Sequence, residues 1–388
     1  MKKVILNKEG LKKIKLLNPS IYKKEIKKFP VLKVEKGELV EVFSEKKKFV
    51  GIGYLNPESK ISLRILTFEK ENIDKQFFEK RIKRAIEKRK SLENITNSYR
   101  IIHSEADFLP GLIVDKYSDY ISVQFNTAGI YIFKEEIVSL LIDILKPRGI
   151  YYVPDVDIVK IENIPSKREI IYGEIPDEII IEENNIKFST SIKAGQKTGF
   201  FLDQRRNRKI VSDYIKKGDK VLDLFSNVGG FGIYCYKKGA SFVHFVDISK
   251  LAVSKIEKNC QLNNVKNYKI TTRDAFKFLT EEKENYDFII IDPPSFAKNK
   301  AQIENAIKGY QYLLINSIKL LNKEGYIAIF TCSHHISEEH LKRVLLFAAE
   351  KTKKYITVVE HLYQDIDHPY VINIPNSLYL RGFLVKVE

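Results

Sequence analysis

Cys332 follows the apolar run Tyr326–Phe330, in Thr331-Cys332-Ser333-His334-His335. Asp292 follows the apolar run Phe288–Ile291, in Asp292-Pro293-Pro294-Ser295-Phe296. A thiolate can add to an electron-poor ring carbon and later leave, which splits one hard substitution into easier steps. Because a free thiol near neutral pH is only a few per cent thiolate, such a site must lower the thiol pKa or remove its proton. Two prolines fix φ and cannot continue a strand. They leave a stiff rim whose carbonyl, carboxylate and aromatic ring suit a planar base turned out of its stack. The bland alternatives are a small core cysteine and a rigid turn that holds nothing. Cys235 and Cys260 fall in helical patterns and read as packing, and His334 and His335 read as structural, since no clustered partners make them metal ligands.

These residues need a scaffold that brings strand ends together. Lys220–Cys235, KVLDLFSNVGGFGIYC, supplies the key part: the buried strand Val221–Phe225, a glycine turn through Asn227, Gly229 and Gly230, then a helix. Glycine lets backbone approach a ligand closely. Asp247 ends the next apolar run, about 20 residues on, where an acid accepts hydrogen bonds from ribose hydroxyls. Asp274, in Thr272-Arg273-Asp274-Ala275-Phe276, can take an adenine amino group. The runs Val221–Phe225, Phe242–Val246, Phe288–Ile291 and Tyr326–Phe330 have the spacing of a doubly wound parallel sheet, whose ligands sit beyond the strands' carboxyl ends.

The front of the chain differs in character. Residues 1–100 carry 27 Lys+Arg against 13 Asp+Glu, while the whole chain of 388 residues has net charge +16. A basic front on a near-neutral body points to a polyanion, most simply nucleic acid. Residues 1–70 read as a small β-rich domain with strands Leu39–Phe43, Phe49–Tyr54 and Ile61–Leu66. Residues 71–96 read as a connecting helix with Phe77, Phe78, Ile82 and Ile86 inward. Its Lys80, Arg81, Lys83, Arg84, Lys88, Arg89 and Lys90 are expected to be solvated or to face phosphates. Residues 97–190 read as a central α+β domain with strands Leu112–Asp115 and Ile121–Phe125 and a helix over Tyr131–Leu145. Residues 191–388 carry the alternating α/β pattern. The three cysteines cannot make a disulfide framework, which fits a reducing cytoplasm. No signal-peptide core or membrane-length apolar run occurs.

The motifs together resemble a class I S-adenosylmethionine-dependent methyltransferase, and the whole chain resembles the RlmI family of large-subunit (23S) ribosomal RNA cytosine-C5 methyltransferases. The most specific match is Gly195-Gln196-Lys197-Thr198-Gly199-Phe200-Phe201-Leu202-Asp203-Gln204-Arg205. Leu222-Asp223-Leu224-Phe225 with Gly229-Gly230-Phe231, then Asp292-Pro293-Pro294-Ser295-Phe296, then Thr331-Cys332-Ser333 follow in the family's order. Gly51-Ile52-Gly53-Tyr54 and Ser59–Arg64 are similar to the PUA-type RNA-binding domain that opens these enzymes, and Leu109–Asp115 to their central domain. Asn18–Tyr22 departs from an aromatic-rich His-Pro-Trp-type segment, and Phe108 stands where a glycine is usual.

The resemblance implies a Rossmann-like α/β methyltransferase domain behind an N-terminal β-rich PUA domain and a central α+β domain. It implies S-adenosylmethionine as cofactor, no metal, ribosomal RNA (free or partly assembled) as partner, a cytoplasmic setting, and leaves a homodimer open. The expected cofactor residues are Asp203, Gln204, Arg205, Asp223, Phe225, Asn227, Gly229, Gly230, Asp247, Ile248, Asp274, Ala275, Asp292 and Pro293. Lys197, Pro294, Ser295 and Phe296 are expected at the substrate, with Cys332 as nucleophile and Asp292 stabilising charge on the ring. Related enzymes with two catalytic cysteines carry the second where this chain has Pro294-Ser295, so no base for the C5 proton is identified. Three rivals stay open. One is methylation of a ring nitrogen or exocyclic amine, which has no use for Cys332. A second is a non-catalytic RNA-binding assembly factor, which has no need of the glycine turn and Asp292. The third is an NAD-dependent oxidoreductase, which the absence of a strict GxGxxG disfavours.

Overall fold

The computed structural model describes residues 1–194 and 199–388. The chain forms two compact units. The first comprises Met1–Ile181, Thr190–Leu202 and Ile366–Ser377; the second comprises Glu182–Ser189, Asp203–Asp365 and Leu378–Glu388.

The first unit holds two sheets. Six strands lie in the spatial order Ser20–Ile21, Leu63–Thr67, Phe49–Leu55, Glu38–Phe43, Lys2–Leu6, Ile26–Lys28. The strand Leu63–Thr67 starts two residues later than the expected Ile61, because Asn56–Ser62 closes a turn first: the Asn56 amide donates to the Ser62 carbonyl at 2.7 Å. The strand Lys2–Leu6 and helix Lys8–Lys15 lie where no element was read. Their signals were a short alternation, Val4 and Leu6 both buried, and Asn7, whose side chain caps the helix through the Glu9 and Gly10 amides.

Five further strands lie in the order Glu169–Gly173, Gly149–Tyr152, Tyr120–Phe125, Leu112–Tyr117, Ser98–His103. The helix Lys75–Glu87, capped by Asp74, packs Phe77, Phe78, Ile82 and Ala85 into their core, and Ile86 is partly buried against it. The expected single helix over Tyr131–Leu145 is two, Ala128–Tyr131 and Lys134–Leu145.

The reading of Arg89 as a solvated cation is corrected. Its side chain is 1% exposed and forms a two-pronged pair with Asp107, Nη1–Oδ1 and Nη2–Oδ2 both 2.7 Å, and Nη2 also donates to the Asp367 carbonyl at 2.9 Å. Arg81 is also largely withdrawn, donating to the Leu66 and Phe108 carbonyls. Lys80, Lys83, Arg84, Lys88 and Lys90 are exposed.

The second unit is organised around a seven-stranded sheet. Its strands are β1 (Lys220–Leu224), β2 (Phe242–Asp247), β3 (Tyr268–Thr272), β4 (Tyr286–Ile291), β5 (Leu321–Thr331), β6 (Ile356–Tyr363) and β7 (Arg381–Val387). The spatial order is 3-2-1-4-5-7-6. Strands β1 to β5 are parallel, and β7 runs antiparallel between β5 and β6. Leu222, Leu224, Ile289, Ile291, Ile327 and Ile329 form one core with helices Ala275–Glu281, Ile303–Lys319 and Glu338–Thr352. The order reverses between β1 and β4, and in such sheets that reversal opens a crevice beyond the carboxyl ends of those strands. Among the described residues no helix is long and apolar enough to cross a membrane.

Candidate active site

The strand expected over Val221–Phe225 ends at Leu224, because Phe225 turns into the left-handed region at φ 59°. Asn227 and Gly229 follow at φ 49° and 81°. Two non-glycine residues in that region mark a strained turn, and such turns gather at functional sites. The helix Gly230–Lys238 then begins. Gly232 must lack a side chain, since a Cβ there would lie 2.3 Å from Phe245 Cε1. Ser226 ties the turn to β2, accepting from the Val246 amide at 2.8 Å and donating to the Asp223 carbonyl at 2.5 Å.

Three carboxylates from neighbouring strand ends meet this turn. Asp223 is 1% exposed and accepts from the Gly232 amide at 2.9 Å. Asp247 accepts from the Asn227 amide at 2.9 Å through Oδ2 and from the Ser249 amide at 2.8 Å through Oδ1, which leaves each oxygen a second lone pair. Ile248 beside it is 69% exposed. Asp292 accepts from Gln204 Nε2 at 3.0 Å, and Gln204 Oε1 in turn accepts from Asn207 Nδ2 at 2.6 Å. Burial pushes the Asp223 carboxyl up to about 8; the Gly232 amide acts against this, and the negative charges of Asp292 and Asp247 add to it. Acidic groups converging at the strand ends, beside an exposed apolar side chain, fit a ligand that joins a cation to an apolar ring and hydroxyls.

A pH dependence follows. The native state keeps the Asp223 proton between about pH 4 and about 8, while the unfolded chain loses it near the ordinary carboxylate pKa. This residue's contribution to stability is therefore full below about pH 4 and falls as pH rises towards 8. Urea midpoints of Asp223→Asn should show a weaker decline from pH 5 to pH 8 than those of the parent. Identical profiles would remove Asp223 as the source.

The other side of the crevice is built by β4 and β5. Their parallel register pairs Ile291 with Ile329, which carries the segments after both strands to one level. Cys332 is partly exposed, and its Sγ lies 3.9 Å from the Pro293 carbonyl. Ser333 Oγ donates to the Ala297 carbonyl at 2.7 Å and clasps the two loops together. Pro293 is buried, Pro294 exposed and Ser295 partly buried. Phe296 packs on Phe276 and Tyr310, with centroids 5.9 and 5.0 Å apart. Cys235 and Cys260 are fully buried; burial drives the first thiol far up and pushes the second up to about 12. Neither is available as a thiolate.

Several expected residues have frame roles here. Arg205 is 1% exposed and paired with Asp365 at 2.7 Å. Asp203 accepts from the Tyr379 hydroxyl at 2.7 Å. Between them, Gln204 reaches Asp292 through its side-chain amide. Asp274 caps the helix Ala275–Glu281 by accepting from the Lys277 amide at 3.1 Å, and Ala275 is buried beneath it. Lys197, with the rest of 195–198, lies outside the described residues. Asn207 went unread; its signal was its place three residues after Gln204, on one helical face. His334 is exposed beside the Tyr379 ring, and His335 is partly buried.

Residues 4–68 match a PUA-like domain, and residues 207–364 match a family described as conserved hypothetical protein 95. Ribosomal RNA large subunit methyltransferase I of Tolumonas auensis is 37% identical over 393 residues, 99% of this chain and 98% of the relative. The protein of the same name from Shewanella frigidimarina is 36% identical over 364 residues, 92% of this chain and 91% of the relative. A crystal structure of a protein assigned as a methyltransferase and complexed with SAH superposes with a TM-score of 0.86 at 25% identity, covering 100% of both chains. With 36–37% identity over 92–99% of its length to these two relatives, the chain belongs to the ribosomal RNA large subunit methyltransferase I family.

Proposed function

We propose that this protein methylates carbon 5 of a cytosine in large-subunit ribosomal RNA, using S-adenosylmethionine and a transient bond to Cys332. The observation that carries the reading is the place of Cys332. It is the partly exposed member of three cysteines, and its sulfur lies against the Asp-Pro-Pro carbonyl at the strand tips. The cofactor supplies a methyl group on a sulfonium. Asp247 is suited to accept from its ribose hydroxyls, Ile248 to cover its base, and the carboxylate of Asp292 to balance its charge.

Cytosine C5 is a weak nucleophile. Addition of the Cys332 thiolate at C6 makes C5 enamine-like, so that it can take a methyl group. Loss of the C5 proton to a base then returns the electron pair, and the C6–Sγ bond breaks. Asp292, held by Gln204, would stabilise charge on the cytosine amino group and N3. Phe296 would contact the cytosine, with Pro294 and Ser295 forming the rim. The basic exposed residues of the first hundred would hold the phosphates.

Mapping modified nucleosides by mass in large-subunit RNA from a strain lacking this gene should reveal the loss of one 5-methylcytosine. Loss of a methylated guanine or adenine instead would overturn the reading. Asp247→Ala should weaken S-adenosylmethionine binding by about 1–3 kcal/mol, since it removes a partly buried acceptor. Calorimetry giving unchanged affinity would take Asp247 out of the site.

A further inference from the structure

Phe108 closes a short 3-10 turn, Ser104–Asp107, in the first unit, with φ 59° and ψ 26°. A bulky non-glycine residue is disfavoured in this region. A core aromatic offsets such strain by burial, but Phe108 is 39% exposed. Its backbone is held in place by Arg81, which donates to the Phe108 carbonyl and lies 4.0 Å over the Phe77 ring. Its ring is flanked by the Arg84 guanidinium at 5.5 Å and the Lys88 ammonium at 5.7 Å. Lys80 and Arg84 are exposed on the same helix and have no ion pair among the described residues, while Lys83 pairs with Glu79 and Lys88 with Asp107.

A strained, displayed ring set among cations on a rigid helix has the chemistry of a stacking platform for single-stranded nucleic acid. Aromatic faces take bases of any sequence, and the cations follow the backbone phosphates. We propose that Phe108, with Lys80, Arg84 and Lys88, forms a single-stranded RNA contact in the first unit. The inference rests on RNA as the partner and is independent of which base is methylated.

The chain contains no tryptophan, so Phe108→Trp introduces a lone fluorophore at the platform. A short single-stranded pyrimidine oligoribonucleotide should quench its emission, and inorganic polyphosphate, which has charge but no bases, should not. Phe108→Gly suits the left-handed backbone, so its unfolding midpoint should match or exceed the parent's while its oligonucleotide affinity falls about tenfold. Arg84→Gln should lower the slope of log affinity against log salt by about one. Unchanged affinity in Phe108→Gly, or unquenched tryptophan at saturating RNA, overturns the proposal. A purely structural ring would instead show itself as a loss of stability in Phe108→Gly with RNA binding intact. If nucleoside mapping assigns another base while the tryptophan is quenched, this contact stands and the cytosine reading fails.

Discussion

Cys332→Ala is expected to abolish methyl transfer while keeping both cofactor and RNA bound. RNA carrying 5-fluorocytosine should become trapped on the parent protein, because fluorine cannot leave C5 as a proton does. The adduct should survive denaturation, its peptide should contain Cys332, and Cys332→Ala should give none. An adduct at Cys235 or Cys260 is not expected, since both thiols are fully buried and held protonated by that burial. Full activity in Cys332→Ala would sink the covalent mechanism. A nitrogen methyltransferase has no reason to form the trapped bond, so the same experiment separates it from carbon methylation.

The second large effect is on stability. Arg89→Met should destabilise the protein by about 3–5 kcal/mol, because it takes the two-pronged partner from the buried carboxylate of Asp107 and leaves it the Lys88 ammonium and the His103 amide. Arg89→Met with Asp107→Leu should recover part of that loss, since two apolar groups leave no uncompensated charge. Lys90→Met, next in sequence but with a side chain 69% exposed, should change stability by no more than about 0.5 kcal/mol. Urea midpoints of the four proteins test this, and equal midpoints for Arg89→Met and Lys90→Met would refute it. Burial alone would raise the Asp107 carboxyl, but the hydrogen bonds and charges of Arg89 and Lys88 hold it below the ordinary range. Its stabilising contribution is therefore present above about pH 4 and lost on acidification.

The contrast between Arg89 and Lys90 shows where sequence reading runs out. Four of the five parallel strands were legible because each carries a short apolar run ended by a turn signal, while Tyr268–Thr272, at the sheet edge and only half-buried, has no such run; the crevice was legible because chemistry follows strand ends in this architecture. Cys332, Asp292 and Asp247 could be placed from order alone. Arg89 could not, because its partners Asp107 and Asp367 lie 18 and 278 residues away and leave no local periodicity. Asp203 and Arg205 sit in the most specific motif of the chain, yet their side chains are held by Tyr379 and Asp365. A motif marks residues that act as a unit, and geometry decides which of them faces the ligand.

Strand β7 is made of almost the last residues of the chain, yet it lies inside the sheet and pairs with β5, which carries Thr331 just before Cys332. Until Arg381–Val387 has been made, β5 has one open edge and β6 has no neighbour to pair with. The first unit must wait as well, since its Ile366–Ser377 portion is made almost as late. A ribosome stalled before Arg381 would therefore hold a nascent chain with an unpaired parallel edge, the kind of surface that recruits chaperones or aggregates. A chain cut before Arg381 would keep all five parallel strands yet leave the β5 edge open, beside the segment that carries Cys332.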